Sequence, residues 1–422
     1  MKKLGFVLTL LAASLPSFAQ VSRQNADIQR LDGFEIHLAA AVDKEGVPVL
    51  ATRSARAKTL AVLYSFTGGM DGGTPFASVI RDREGNLYGT TSAGGASGLG
   101  TVFKLDKTGT ETVLHSFAGS PADGATPLLG SLVRDREGSL YGTTSAGGAS
   151  GAGAVFKLDT TGTENLLYSF TGGADGGAPF AGLFRDEDGN FYGTTFLGGA
   201  SEFGTVFKVD KTGSETVLYS FGGGADGGFP FAGVVREPEG NLYGTTVFGG
   251  SSGLGTAFKL DRRGVETVLH SFTGGVDGGD PTAGLLRDGE GNLYGTTLGG
   301  GGSGSGTVFK LDKSGMETVL YSFTGGVDGG GPTARVVRDQ EGNLYGTTSA
   351  GGGSGFGTVF KLDKSGMETV LYSFTGGADG GDPRAGLLRD GEGNLYGTTS
   401  AGGGSGFGTV FRLTLDDDGE SE

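Results

Sequence analysis

The sequence has no cysteine, no tryptophan, three histidines and four methionines. Without cysteine there is no disulfide framework, no thiolate metal site and no lipoprotein-type N-terminal cysteine. Three scattered histidines leave Ser/His and Cys/His nucleophile systems almost without material. His115 and His270 occupy a slot that holds Tyr64, Tyr168, Tyr219, Tyr321 and Tyr372 elsewhere, so they read as packing variants, and His37 has no evident partner. Long apolar runs are also missing. The stretch from Leu4 to Leu15 is too short for a comfortable membrane span, and no transmembrane segment is expected. Positive charge is in deficit, 32 basic against 47 acidic side chains for a net −15, which argues against a nucleic-acid partner.

What is abundant is glycine, 90 residues, with 28 Phe and 12 Tyr. Apolar residues recur in short clusters, which weighs against disorder. Lys2 and Lys3, the apolar run and Ser17-Phe18-Ala19 predict a bacterial signal peptide over 1–19, cleaved near Ala19, and hence a secreted or periplasmic protein. Residues 20–59 read as a linker or N-terminal extension, alternatively a docked strand or short helix. Asp416 to Glu422 carries five acids and reads as a disordered tail.

Residues 60–415 are a repeat. The segment around Tyr88 recurs at Tyr141, Tyr192, Tyr243, Tyr294, Tyr345 and Tyr396, spaced by 51 residues after a first step of 53. Each copy holds four strand candidates, in the first Leu60–Phe66, Phe76–Asp82, Asn86–Thr91 and Thr101–Asp106, rich in β-branched and aromatic residues and bounded by Gly, Asp, Pro or Asn. Four short strands per unit of this length predict an all-β, seven-bladed β-propeller. The Asp106-Lys107-Thr108-Gly109 turn suggests a hairpin that pairs Leu105 with Thr110 and sets Lys104 opposite Glu111. Gly89, recurring inside a strand, suggests close approach between neighbouring blades. The last copy stops one strand short, so strand 60–66 is expected to complete it and close the ring, leaving no open edge.

The recurring Gly-Asn-Leu-Tyr-Gly-Thr-Thr, Gly-Thr-Val-Phe-Lys-Leu-Asp and Val-Leu-Tyr-Ser-Phe resemble the GloVer tandem-repeat family of exported bacterial proteins. The resemblance implies an exported propeller-like array and brings no catalytic residues. More loosely, Asp-x-Glu-Gly-Asn-Leu-Tyr is similar to the strand motif of NHL-type propellers.

Two carboxylate features remain. Asp82-x-Glu84-Gly85-Asn86 looks like the start of a calcium loop, but it lacks the distal Glu and reads better as a capped hairpin turn. The Asp-Gly-Gly loops place Asp71, Asp175, Asp226, Asp277, Asp328 and Asp379, with Asp123 in the altered copy, on one expected rim around the channel mouth, where they could attract basic ligands or merely cap their turns. Equivalent acids do not supply the unequal pair that hydrolases need. The departures from symmetry are mostly apolar: Phe196, Phe203, Phe229 and Phe248, with Phe180 and Phe231, gather in the third and fourth copies. These Asp and Phe residues are the candidate ligand-binding set. The expected function is a non-catalytic, monomeric binding or scaffold module for an extracellular glycan or protein, with no cofactor and no metal. The alternative is a glycoside hydrolase or lyase acting on extracellular polysaccharide.

Overall fold

The computed structural model describes residues 41–42, 48–49 and 58–415. The expected signal peptide, most of the extension 20–59 and the tail 416–422 lie outside the described residues. Ala41–Val42 and Pro48–Val49 pair antiparallel as a two-stranded ribbon in a unit of their own.

Described residues 58–415 form a seven-bladed propeller, and every regular element among them is a strand. The first blade runs outward from Ile80–Arg81 through Leu87–Thr91 and Thr101–Leu105 to Glu111–Ser116, each strand antiparallel to the last. The middle two strands are buried on both faces, which is why they read as near-continuous Leu, Tyr, Thr, Val and Phe. Five more blades repeat the order. The seventh takes Leu388–Arg389, Leu395–Thr399 and Thr409–Thr414 from the end of the chain and Thr59–Ser65 from its beginning. Leu60 lies opposite Leu413 and Ser65 opposite Thr409, so closure by the N-terminal strand is as the repeat arithmetic requires. A second bond seals the ring: Thr398 Oγ1 donates to Ala77 O at 3.1 Å, matching Thr194 to Ala232 and Thr347 to Ala385 between ordinary neighbours.

Seven apolar clusters sit between blades rather than within them. Phe66, Val79, Leu87, Phe103 and Leu105 of one interface pack with Tyr396 and Val410 of the seventh blade. Phe66 meets Phe103 edge to face at 5.1 Å, and both are fully buried. Each such ring contributes about 1.5–3 kcal/mol of burial.

Three local expectations change. The innermost strand is only Ile80–Arg81, because the preceding residues leave the ladder to line the channel. The outer hairpin is one residue wider than expected: Asp106 N donates to Thr110 O, Leu105 faces Glu111, and Lys104 faces Thr112 rather than Glu111. A one-residue slip turns a side chain to the other face, so Glu111 points inward beside Leu105. Gly89 makes its close approach inside its own blade, since a Cβ there would sit 2.6 Å from Phe103 Cζ and 3.3 Å from Val79 Cγ1.

Candidate functional site

The Asp-Gly-Gly carboxylates lie along the seams between outermost strands, and none lines the central channel. Asp71 accepts from Tyr64 Oη at 3.1 Å and Thr67 N at 2.8 Å. Asp175, Asp328 and Asp379 repeat this with Tyr168, Tyr321 and Tyr372 and with the equivalent threonines. In the fourth blade's loop Asp226 accepts from Tyr219 Oη and Gly222 N. Histidine replaces the phenol at Asp277, where His270 Nε2 lies at 3.3 Å, and at Asp123, where His115 Nε2 lies 3.1 and 3.2 Å from the two oxygens. Asp82, at the start of the calcium-like turn, accepts from Asn86 N, Asn86 Nδ2 and Tyr88 Oη, which ties its carboxylate to the hairpin.

The register slip adds a second carboxyl to six of the seven seams. Glu111, Glu164, Glu215, Glu266, Glu317 and Glu368 each bury Oε1 without a hydrogen-bond partner. Burial, then the neighbouring blade's Asp, pushes each of them up to about 7. For Asp277 and Asp328 the hydrogen bonds they accept more than offset burial and hold their pKa low. Such opposed carboxyls resemble an acid/base couple. Here, however, the Glu oxygen is shut off from solvent and the arrangement recurs around the ring, as a packing feature would. At one seam His115, Asp123 and Glu164 bring ligand atoms within 4.8 Å of one another, a set able to hold a metal ion. The other seams place Tyr or His, Asp and, in all but one, Glu at the same three positions.

The phenylalanines are brought together. Phe231, in the channel wall, meets Phe180 at 5.4 Å and Phe196 at 5.9 Å. Phe196 stacks on Phe229 at 5.1 Å, Phe229 touches Phe203 at 5.1 Å, and Phe203 lies 6.0 Å from Phe248 with their planes 6° apart. Backbone bonds hold the ridge: Phe229 N donates to Phe203 O at 2.7 Å, joining the loops of two blades, and Gly228 N donates to Phe248 O at 2.9 Å. Glycine lets the rings lie low, because a Cβ on Gly223 would strike the Phe203 ring at 2.5 Å. Phe196 is the buried footing at 5% exposure, Phe203 and Phe229 are half-buried, and Phe248 is 42% exposed.

The channel, about 410 Å³, draws one segment from each blade. Its walls break the repeat in a way the sequence reading passed over. At the level of Phe76, Leu129 and Phe231 the fifth to seventh blades carry Thr282, Thr333 and Arg384. Two residues on, where the other blades have Ser or Gly, the sixth has Arg335. A charged residue at a Ser/Gly position of the repeat was the signal available.

The chain matches the Gloeobacter/Verrucomicrobia repeat over residues 40–187, 172–339 and 325–421. It belongs to that family. No curated protein sequence matches it. Among solved structures it is similar to the extracellular domain of a protein described as a one-component system from B. thetaiotaomicron, at 10% identity and TM-score 0.52, covering 83% of this chain and 39% of that one. The chain thus spans well under half of that structure's length. A gluconolactonase from Xanthomonas campestris aligns at 16% identity over 85% of this chain and 89% of its own, TM-score 0.44. A calcium-binding regucalcin from Agrobacterium tumefaciens aligns at 15% identity over 87% and 97%, TM-score 0.43. At these identities the likeness is one of fold alone. No helix among the described residues is long and apolar enough to cross a membrane. Within this Gloeobacter/Verrucomicrobia repeat protein, the phenylalanine ridge and the channel arginine are two of the places where the chain departs from its own repeat.

Proposed function

We propose that the protein is an exported, non-catalytic binding module whose glycan ligand docks on the phenylalanine ridge of the third and fourth blades. The observation that carries the reading is the unbroken run of ring contacts from Phe231 in the channel wall to the exposed face of Phe248. Rigid aromatic rings offer large contact area at small entropic cost, and an exposed apolar patch rimmed by polar loops is a common mark of a binding surface. Sugar C–H faces suit such rings, and the flanking Gly-rich loops present backbone donors and acceptors instead of bulky side chains.

The test is a glycan array followed by calorimetry on the full chain, with a polysaccharide-degradation assay alongside. Saturable glycan binding that weakens about 10–30-fold in Phe248→Ala and Phe203→Ala is expected. Binding indifferent to both substitutions removes the ridge. Binding to proteins but to no glycan overturns the ligand class. New reducing ends or unsaturated products show that the protein is an enzyme.

A further inference from the structure

Arg335 stands in the channel wall and makes no hydrogen bond or ion pair with any described residue. It is exposed to the lumen, and the neighbouring wall desolvates it enough to lower its pKa. A lysine or carboxyl in this position could shed its charge; a guanidinium does not, because it stays protonated throughout the physiological range. An exposed guanidinium keeps its water and costs little to leave unpaired, but without a partner among the described residues its fork of donors stays free for an anion that enters the lumen.

The neighbourhood narrows what that counter-charge is. Arg384, one blade on, is already neutralised, its Nε lying 2.9 and 2.8 Å from the two oxygens of Asp382. Among the described residues the lumen therefore offers one free positive charge, which matches a singly charged carboxylate better than a phosphate dianion. Further donors are at hand. Thr282 Oγ1 is buried without a partner. Ser78 lies close by, for a Cβ built on Gly386 would sit 3.0 Å from both Ser78 Oγ and Arg335 O. Phe76, Leu129 and Phe231 form an apolar wall in the first, second and fourth blades, and Phe231 continues into the ridge. The lumen, about 410 Å³, falls within the range of roughly 300–1,000 Å³ typical of small-molecule sites.

We infer that the channel receives the carboxylate of a ring-bearing organic acid, in sugar form a uronic acid, with Arg335 as its counter-charge. This rests on the reading of the ridge as a glycan platform and specifies the acidic end of that ligand. The planar fork of the guanidinium matches a carboxylate through two parallel hydrogen bonds, while the ring of the acid packs on the apolar wall.

Calorimetry and thermal melting with D-glucuronate, D-glucose and inorganic phosphate on the full chain test it. D-glucuronate is expected to bind at least about tenfold more tightly than D-glucose, since a charge-assisted hydrogen bond is among the stronger single contacts. Phosphate is expected to bind more weakly than glucuronate. Arg335→Gln should abolish the glucuronate preference and the glucuronate-induced rise in Tm, while the Tm of the free protein stays level, since the side chain is exposed and makes no ion pair with a described residue. Arg335→Lys should retain part of the preference. Equal affinity for glucuronate and glucose, a preference for phosphate, or a glucuronate preference that survives Arg335→Gln overturns the inference. The two readings fail separately. Glycan binding lost in Phe248→Ala but indifferent to Arg335 leaves the ridge and removes the acid. A glucuronate preference lost in Arg335→Gln but indifferent to Phe248 does the reverse.

Discussion

The half-buried glutamates should make the propeller's stability fall as pH rises, the reverse of the usual behaviour of paired carboxylates. Six side chains from Glu111 to Glu368 hold their protons up to about 7, against an ordinary value of 4.5. Burial is the main cause and the adjacent Asp the second. Between these two pH values the folded chain binds more protons than the unfolded chain, so unfolding free energy declines across that window. The stabilisation is complete below about 4.5 and is lost as pH passes through about 7. Asp277, Asp328 and Asp379 act oppositely, their lowered pKa values removing stability only as pH falls below their ordinary 3.8. Maximum stability is therefore expected near pH 4.5–5. At face value each Glu shift exceeds roughly 3 kcal/mol. These carboxyls are only half-buried and partly screened, so about 1 kcal/mol per site, or about 6 kcal/mol for the set, is the working figure. In a chain of this size that corresponds to a fall in Tm of about 10 °C. The assay is thermal melting at pH 5, 6, 7 and 8, followed by circular dichroism or tyrosine fluorescence, there being no tryptophan. The triple variant Glu215→Gln, Glu266→Gln and Glu317→Gln should roughly halve the fall. Substituting the exposed Glu84, Glu137 and Glu187 by Gln removes the same charge and should leave it intact. A Tm that is flat or rising from pH 5 to 8, or equal falls in all three proteins, refutes the reasoning.

Two further outcomes test the fold. Gly295→Val should destabilise by about 1–3 kcal/mol or more, as overpacking does, because its Cβ would lie 2.5 Å from Phe309 Cζ; melting temperature reads this directly, and an unchanged Tm would show that the strand has room. A circular permutant that moves 59–65 to follow Leu413 through an Asp-Lys-Thr-Gly hairpin should fold with nearly native Tm, since that strand already lies beside Thr409–Thr414; an aggregated or molten product counts against closure.

The amino-acid sequence by itself determined the blade count, the strand order and the closing partner. These follow from local signals: a fixed period, β-branched runs between glycine turns, and a missing strand matched by a spare one. It also marked Phe196, Phe203, Phe229 and Phe248 as departures from the repeat. Tertiary structure alone decided where side chains meet across blades. A single residue in the width of the Asp106–Thr110 turn reversed the face of Glu111, and no propensity distinguishes the two widths. The Asp-Gly-Gly loops are local in sequence, but their distance from the axis depends on the outermost strands that they touch. Arg335 lies 49 residues from Arg384 and farther still from Ser78 and Phe231 in the chain. Only closing the ring sets them around one lumen, because contacts of that separation come from the packing of blades and not from the pattern within any one of them.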